Sequence, residues 1–221
     1  MHDVNWPALC AGLIVGGYWA RVLRMVLKAR RRTGRAANFL PAEPLGRALR
    51  LAWVPIVCLW IALPLSGAFY DAKAPYALRR LYQWPAIEWA GVVVAAAALA
   101  ATLACWRRMG KSWRMGIDPD ERTPLVVSGP YAYVRHPIYA LSALLVLATV
   151  VVVPSPAMIA VALVHVALLA WEARREERHL VAVHGADYEA YTRRVGRFAP
   201  RSLSAYAPAP GANDAPGPSR T

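Results

Sequence analysis

Four long apolar stretches of this chain contain no Asp, Glu, Lys or Arg: residues 4–20, 51–70, 89–106 and 137–171. A helix crosses the hydrocarbon core of a bilayer with about 20 apolar residues. The first three stretches therefore predict one span each. The first runs on past Arg21 and Arg24 to about Leu27, because arginines near the end of a span can snorkel to the headgroups. The fourth is too long for one straight span and is interrupted by Pro154, Ser155 and Pro156. Proline removes a backbone donor and disfavours helix before it, which predicts a tight hairpin of two short helices. The expected fold is all-α and integral to the membrane. It has about five transmembrane helices, the last two a short helical hairpin, followed by a cytoplasmic C-terminal helical segment.

The chain has 221 residues, 26 Lys+Arg against 13 Asp+Glu, and 57% hydrophobic content. A nucleic-acid binder would account for the basic excess but not for the apolar stretches, so no nucleic-acid partner is expected. A membrane protein with basic cytoplasmic loops accounts for both. Lys and Arg number seven in residues 28–50, six in 106–136 and eight in 172–221, but three in 71–86. The rich segments fall on one side together with the C-terminus. The positive-inside rule makes that side cytoplasmic and puts the N-terminus outside, in an inner, plasma or endomembrane. The opening MHDVNWP lacks the basic start of a signal peptide, so its apolar segment is expected to stay in the mature protein. Cys10, Cys58 and Cys105 are far apart, each inside an apolar stretch, which suits packing rather than a metal knuckle or a disulfide framework. Residues 202–221 are rich in Pro, Gly, Ala and Ser and are expected to be disordered.

Polar groups meet the apolar stretches in three places. The first is SGPYAYVRHPIY, which brings Tyr131, Tyr133, Arg135, His136 and Tyr139 to the start of the hairpin, with Pro137 as first-turn residue of a helix. The free N–H groups and positive dipole end at such a start suit a carboxylate or phosphate. The same residues also suit a basic, aromatic interfacial anchor. The second place is WEARREERHL. If the last span continues as helix, Glu172, Glu176 and His179 share a face that also holds His165, and Glu177 points about 100° away. An exposed helix laced with Glu–Arg pairs is the alternative for this stretch, and His165 reads as a packing or hydrogen-bonding residue. The third is HGADYEAYTRRVGRFAP, where Gly185 ends the helix. There Tyr188 and Tyr191 share a face while Arg193, Arg194 and Arg197 can meet lipid phosphates, as in an amphipathic surface helix. Dinucleotide, P-loop and zinc-protease motifs are missing from the sequence, and His165, His179 and His184 lack the carboxylate pattern of a metal site, so no metal is expected.

Taken in order, LVVSGPYAYVRHPIY, a helical hairpin, EERHL and GADYEAYTRRVGRFAPR make residues 107–201 resemble the isoprenylcysteine carboxyl methyltransferase family and its relatives, the membrane phospholipid methyltransferases. The resemblance divides the chain into three N-terminal spans (1–106), a methyltransferase core (107–201) and the tail (202–221). It implies S-adenosylmethionine bound on the cytoplasmic side, with Leu125, Val126, Tyr131, His136, Pro137, Tyr139 and Glu176 at the matching cofactor positions. In that frame His136 and the N–H groups after it suit the cofactor's carboxylate. Glu176 suits its ammonium or ribose hydroxyls, and Tyr131, Leu125 and Val126 suit the adenine and the sulfonium.

The implied acceptor is lipid-like or prenylated and reaches the site from the surrounding membrane lipids. A carboxylate acceptor is already ionised near neutral pH, whereas a phospholipid amine must first lose a proton to a base such as Glu172, Glu176, Glu177 or His179. The eukaryotic isoprenylcysteine enzymes carry an arginine one turn before the Glu-Glu pair, and here that position is Glu172. Glu172, Arg174 and Arg175 are accordingly the candidate acceptor-side residues. The leading expectation is methylation of a carboxylate on a lipidated or apolar acceptor. The alternatives are a phospholipid N-methyltransferase and a non-enzymatic membrane scaffold or transporter.

Overall fold

The computed structural model describes residues 4–33, 44–69, 74–109 and 125–207. Part of the basic stretch after the first span (34–43), the start of the expected methyltransferase core (110–124) and the tail from residue 208 lie outside the described residues. Six α-helices occur among those described: α1 (Trp6–Thr33), α2 (Pro44–Gly67), α3 (Pro85–Met109), α4 (Pro137–Val152), α5 (Pro156–His184) and α6 (Ala186–Arg194).

Helices α1, α2, α3 and α5 are each long and apolar enough to cross a membrane, while α4 is a shorter apolar helix. Against the five spans expected, the described residues hold four candidate spans and one apolar helix of 16 residues. The hairpin is unequal rather than a pair of short helices. Its second arm, α5, has 29 residues because the charged run after Trp171 continues the helix to His184. Ser155 caps this arm, its hydroxyl oxygen accepting the Met158 N–H at 3.2 Å.

Small residues let the helices approach closely, as membrane interfaces require. Gly91 of α3 lies so near Val152 and the Ala148 carbonyl of α4 that a Cβ there would stand 2.7 Å from the valine side chain. Val15, Tyr18, Trp60, Leu145, Val146 and Met158 fill the core between the helices, and the Trp60 indole of α2 donates to Thr149 of α4 at 3.1 Å.

One end of the bundle is closed by a polar knot around Glu88. Its carboxylate accepts from the Asn5 side-chain amide at 2.8 Å and from Arg80 at 3.5 Å, and Arg80 also donates to the Gly67 carbonyl at 2.9 Å. Glu88 is 1% exposed. Asn5, far away in sequence, covers it. Beside this knot, Leu81 N–H donates to the Pro154 carbonyl and Tyr82 O–H to the Val151 carbonyl, each at 2.7 Å, so the 81–82 segment caps the hairpin tip.

The opposite end carries the functional groups. The chain turns sharply at Gly185 (φ 52°, ψ −128°) into α6, then runs back as a strand-like segment beside residues 134–136. Arg135 N–H donates to the Gly196 carbonyl at 2.8 Å, and His136 N–H to the Arg197 carbonyl at 3.0 Å. Tyr188, Tyr191, Val195 and Val127 make a small second core under α6. The amphipathic pattern of α6 therefore covers the segment before α4. The start of the tail is docked as well: Tyr206 N–H donates to the Ala132 carbonyl at 2.9 Å, and its ring lies edge-on to Tyr191.

Candidate active site

A cavity of about 750 Å³ opens at the basic end, walled by α1 and α2 on one side and by α4, α5 and the 131–136 segment on the other. Its walls combine a polar head with a deep apolar arm. The arm runs along Val22 and Val26 of α1 and Val54, Val57 and Ile61 of α2.

At the head, α4 begins at Pro137 with His136 as its N-cap, and no side chain caps this helix. Pro137 has no N–H, and Ala140 N–H already bonds the His136 carbonyl at 3.0 Å. Ile138 and Tyr139, both on the cavity wall, therefore present first-turn N–H groups that the helix itself cannot satisfy. The start of α5, by contrast, is closed by its serine cap. The His136 and Tyr139 rings stack with centroids 5.3 Å apart and 3° between planes. Tyr139 O–H donates to Glu176 Oε2 at 3.1 Å, and His136 Nδ1 lies 3.6 Å from the same oxygen. The Tyr131 hydroxyl points at the Met109 sulfur, 2.8 Å away. Burial pushes this phenol well above its ordinary pKa, with the negative charge of Glu176 adding to the shift, so it stays protonated.

The two adjacent glutamates of α5 serve different neighbours. Glu176 faces the cavity with its side chain 39% exposed. Glu177 turns to the C-terminal segment, where Oε1 accepts from Arg135 at 2.9 and 3.0 Å and Arg197 reaches both oxygens at 3.0 and 2.6 Å. His136 Nε2 lies 3.2 Å from Glu177 Oε1, so the imidazole sits between the two carboxylates. Arg135 also donates to the carbonyls of Thr192 and Val195. This hub ties α5, the segment before α4 and the strand after α6 into one unit.

A second ionic cluster lies further along the wall. Glu172 is 3% exposed and accepts from Arg50 of α2 at 2.5 Å and from Arg175 at 3.1 Å on each oxygen. Arg50 lies over the Trp53 ring, 5.5 Å from its centroid. The Trp53 indole donates to His165 Nδ1 at 3.0 Å, and His165 Nε2 lies 3.0 Å from Ser142 Oγ.

Of the residues singled out in the sequence, Tyr131, His136, Tyr139, Glu172 and Glu176 meet at this cavity. Leu125 packs against the small core under α6 instead, Val126 is half-buried beside it, and Pro137 is buried at the start of α4. Arg175 backs Glu172, whereas Arg174 is exposed and donates to the Ala170 carbonyl at 3.3 Å, turned away from the cavity. Arg50, Trp53 and the Glu177 hub escaped sequence reasoning. Arg50 sat in a count of loop charges, and nothing local announces a partner on another helix.

The helices that wall the polar head on the α4–α5 side coincide with a recognisable stretch. Residues 87–187 match the phospholipid methyltransferase family. Methyltransferases of that family use S-adenosylmethionine as methyl donor. No curated protein and no solved structure matches the chain. The matched stretch contributes His136, Tyr139, Glu172 and Glu176, while Arg50 and Trp53 come from α2, outside it.

Proposed function

We propose that the protein is an integral-membrane, S-adenosylmethionine-dependent methyltransferase that methylates a carboxylate on a lipidated or otherwise apolar acceptor. The residues at the head of the cavity fit the cofactor. The uncapped start of α4 suits its carboxylate. Glu176, partly exposed and oriented by Tyr139, suits its ammonium or ribose hydroxyls, and the His136–Tyr139 stack with Tyr131 offers aromatic faces to a cation. When bound, S-adenosylmethionine supplies a methyl group already activated by its sulfonium. The protein is left with alignment, charge placement and exclusion of water.

The observation that carries the carboxylate reading is the pair of guanidiniums on Glu172. Arg50, on the cavity wall, and Arg175, behind it, bring two buried guanidiniums to the buried Glu172 carboxylate. An anionic acceptor head is attracted to guanidiniums, while an ammonium meets them as like charges. Both Glu172 oxygens are engaged by guanidinium N–H groups, so neither is aimed at a substrate proton. Glu172 stands where the resemblance calls for an arginine, and Arg50 brings a guanidinium to that place from α2. The amine reading draws support from the family's own name and from Glu176, whose partial exposure leaves it accessible as a base.

The test is transfer of a radiolabelled methyl group by the full-length protein in lipid nanodiscs, offered a prenylcysteine and phosphatidylethanolamine side by side. Carboxyl methyl esters release labelled methanol in base, and N-methyl groups do not. Base-labile label on the prenylcysteine is the expected result. Base-stable label on the aminophospholipid alone would replace the carboxylate reading with the amine one.

A further inference from the structure

His165 is fully buried and lies where α2 and α5 meet. It belongs to α5, in the stretch that matches the family, and its bond partner Trp53 belongs to α2, outside that stretch. An indole N–H only donates, so His165 Nδ1, 3.0 Å from it, carries no proton. The ring proton is therefore on Nε2 and is donated to Ser142 Oγ at 3.0 Å. A neutral imidazole can accept at one edge and donate at the other, which is the combination this place requires. Packing holds the ring in that orientation, with Trp60 at 4.6 Å, Trp53 at 5.5 Å and Trp19 at 6.5 Å between centroids.

Trp53 and Arg50 sit one turn apart on the same face of α2, and the Arg50 guanidinium lies over the Trp53 ring. His165 and Glu172 likewise share a face of α5, two turns apart. Helices α2 and α5 are thus joined by two links at the cavity wall, Arg50 with Glu172 and Trp53 with His165. The first is ionic and the second directional. The indole plane beneath the Arg50 guanidinium gives it a fixed surface beside its carboxylate partner.

We propose that His165 is a positioning residue for the methyl acceptor. It fixes the Trp53 indole, and the indole holds the Arg50 guanidinium where the acceptor's carboxylate binds. This rests on the carboxylate reading given above. A ring of similar shape without nitrogen, His165→Phe, deprives Trp53 of its acceptor. The half-buried indole can then turn within the cavity, taking the support for Arg50 with it.

The experiment measures equilibrium binding of a radiolabelled prenylcysteine to the full-length protein in nanodiscs, with S-adenosylhomocysteine present. Cofactor affinity and thermal midpoint are measured on the same samples. His165→Phe and Trp53→Phe should each weaken prenylcysteine binding about 5- to 10-fold, the worth of one hydrogen bond. Cofactor affinity should stay within about twofold, and the double variant should be no weaker than either single one, because both break the same link. A purely structural role predicts parallel loss of cofactor affinity, or additive losses in the double variant, and either result overturns the proposal. So does unchanged prenylcysteine binding in the folded single variants. If His165→Phe does not fold, Trp53→Phe and Ser142→Ala, which attack the two ends of the same chain, carry the test. Arg50→Gln separates this inference from its foundation. Unchanged prenylcysteine affinity in Arg50→Gln, or no saturable binding by the unaltered protein, overturns the carboxylate reading and this inference with it. A loss with Arg50→Gln but none with His165→Phe overturns this inference alone.

Discussion

Glu176 and Glu177 are adjacent in sequence, and the helical step of about 100° between them sends them to different partners. Glu177 binds Arg135 and Arg197 with its side chain only 12% exposed. Replacing it by Gln leaves two guanidiniums short of their counter-charge and should cost about 2–3 kcal/mol, less than for a fully buried pair because Arg197 is partly exposed. A thermal midpoint lowered by several degrees in detergent is the expected reading. Glu176→Gln should leave that midpoint in place and weaken cofactor binding about 10-fold or more by calorimetry. Equal loss of cofactor affinity in both variants without loss of stability in Glu177→Gln would contradict this division. Tyr131 adds a pH statement. Its phenol is raised by burial, so it remains neutral until the pH passes a value far above the working range. No alkaline limb of the pH–rate profile belongs to it, and Tyr131→Phe should leave the shape of that profile unchanged. The head of the cavity was legible in the sequence because Tyr131, His136 and Tyr139 stand within one short motif beside a proline that starts a helix. The Arg50–Glu172 pair was not, because its members are 122 positions apart and only folding makes them neighbours.

The helices themselves were legible from their apolar stretches, but their ends were not. The first span is expected to end near Leu27 but α1 runs to Thr33, and α5 continues through its charged run to His184, because Ala, Arg, Lys and Glu propagate a helix well. The end of α5 is set instead by Gly185, whose φ of 52° and ψ of −128° lie where glycine alone is comfortable. Gly185→Ala should cost about 1–3 kcal/mol. Because it sets the angle at which α6 returns over residues 127–136, it should also weaken cofactor binding. Ser155→Ala removes the cap of α5 at the far end of the hairpin and should cost about 1 kcal/mol with no effect on cofactor affinity. Thermal midpoints and calorimetry on the two variants together check this contrast between the ends of one helix.

At the scale of the whole molecule, the ionic clusters of the cavity and the Glu88 knot lie at opposite ends of the bundle. The Lys/Arg distribution predicts that the cavity end faces the cytoplasm. Single cysteines introduced at Gln83 and Ser204, both exposed, report on the two ends. In intact cells an impermeant thiol reagent should label position 83 and spare position 204, and labelling of 204 would reverse the orientation. The shortness of α4 bears on the lipid around it. Its 16 residues reach about 24 Å, some 6 Å less than the hydrocarbon thickness of an average bilayer. Beside a membrane-spanning helix of that length lipids would thin or sink to meet it, and α4 begins at the cavity. The bilayer itself would then lower headgroups toward the mouth of the site, so that delivery of an acceptor depends on how easily the membrane deforms. Turnover measured in nanodiscs should accordingly fall as the host phosphatidylcholine acyl chains are lengthened, even though no residue of the protein has changed.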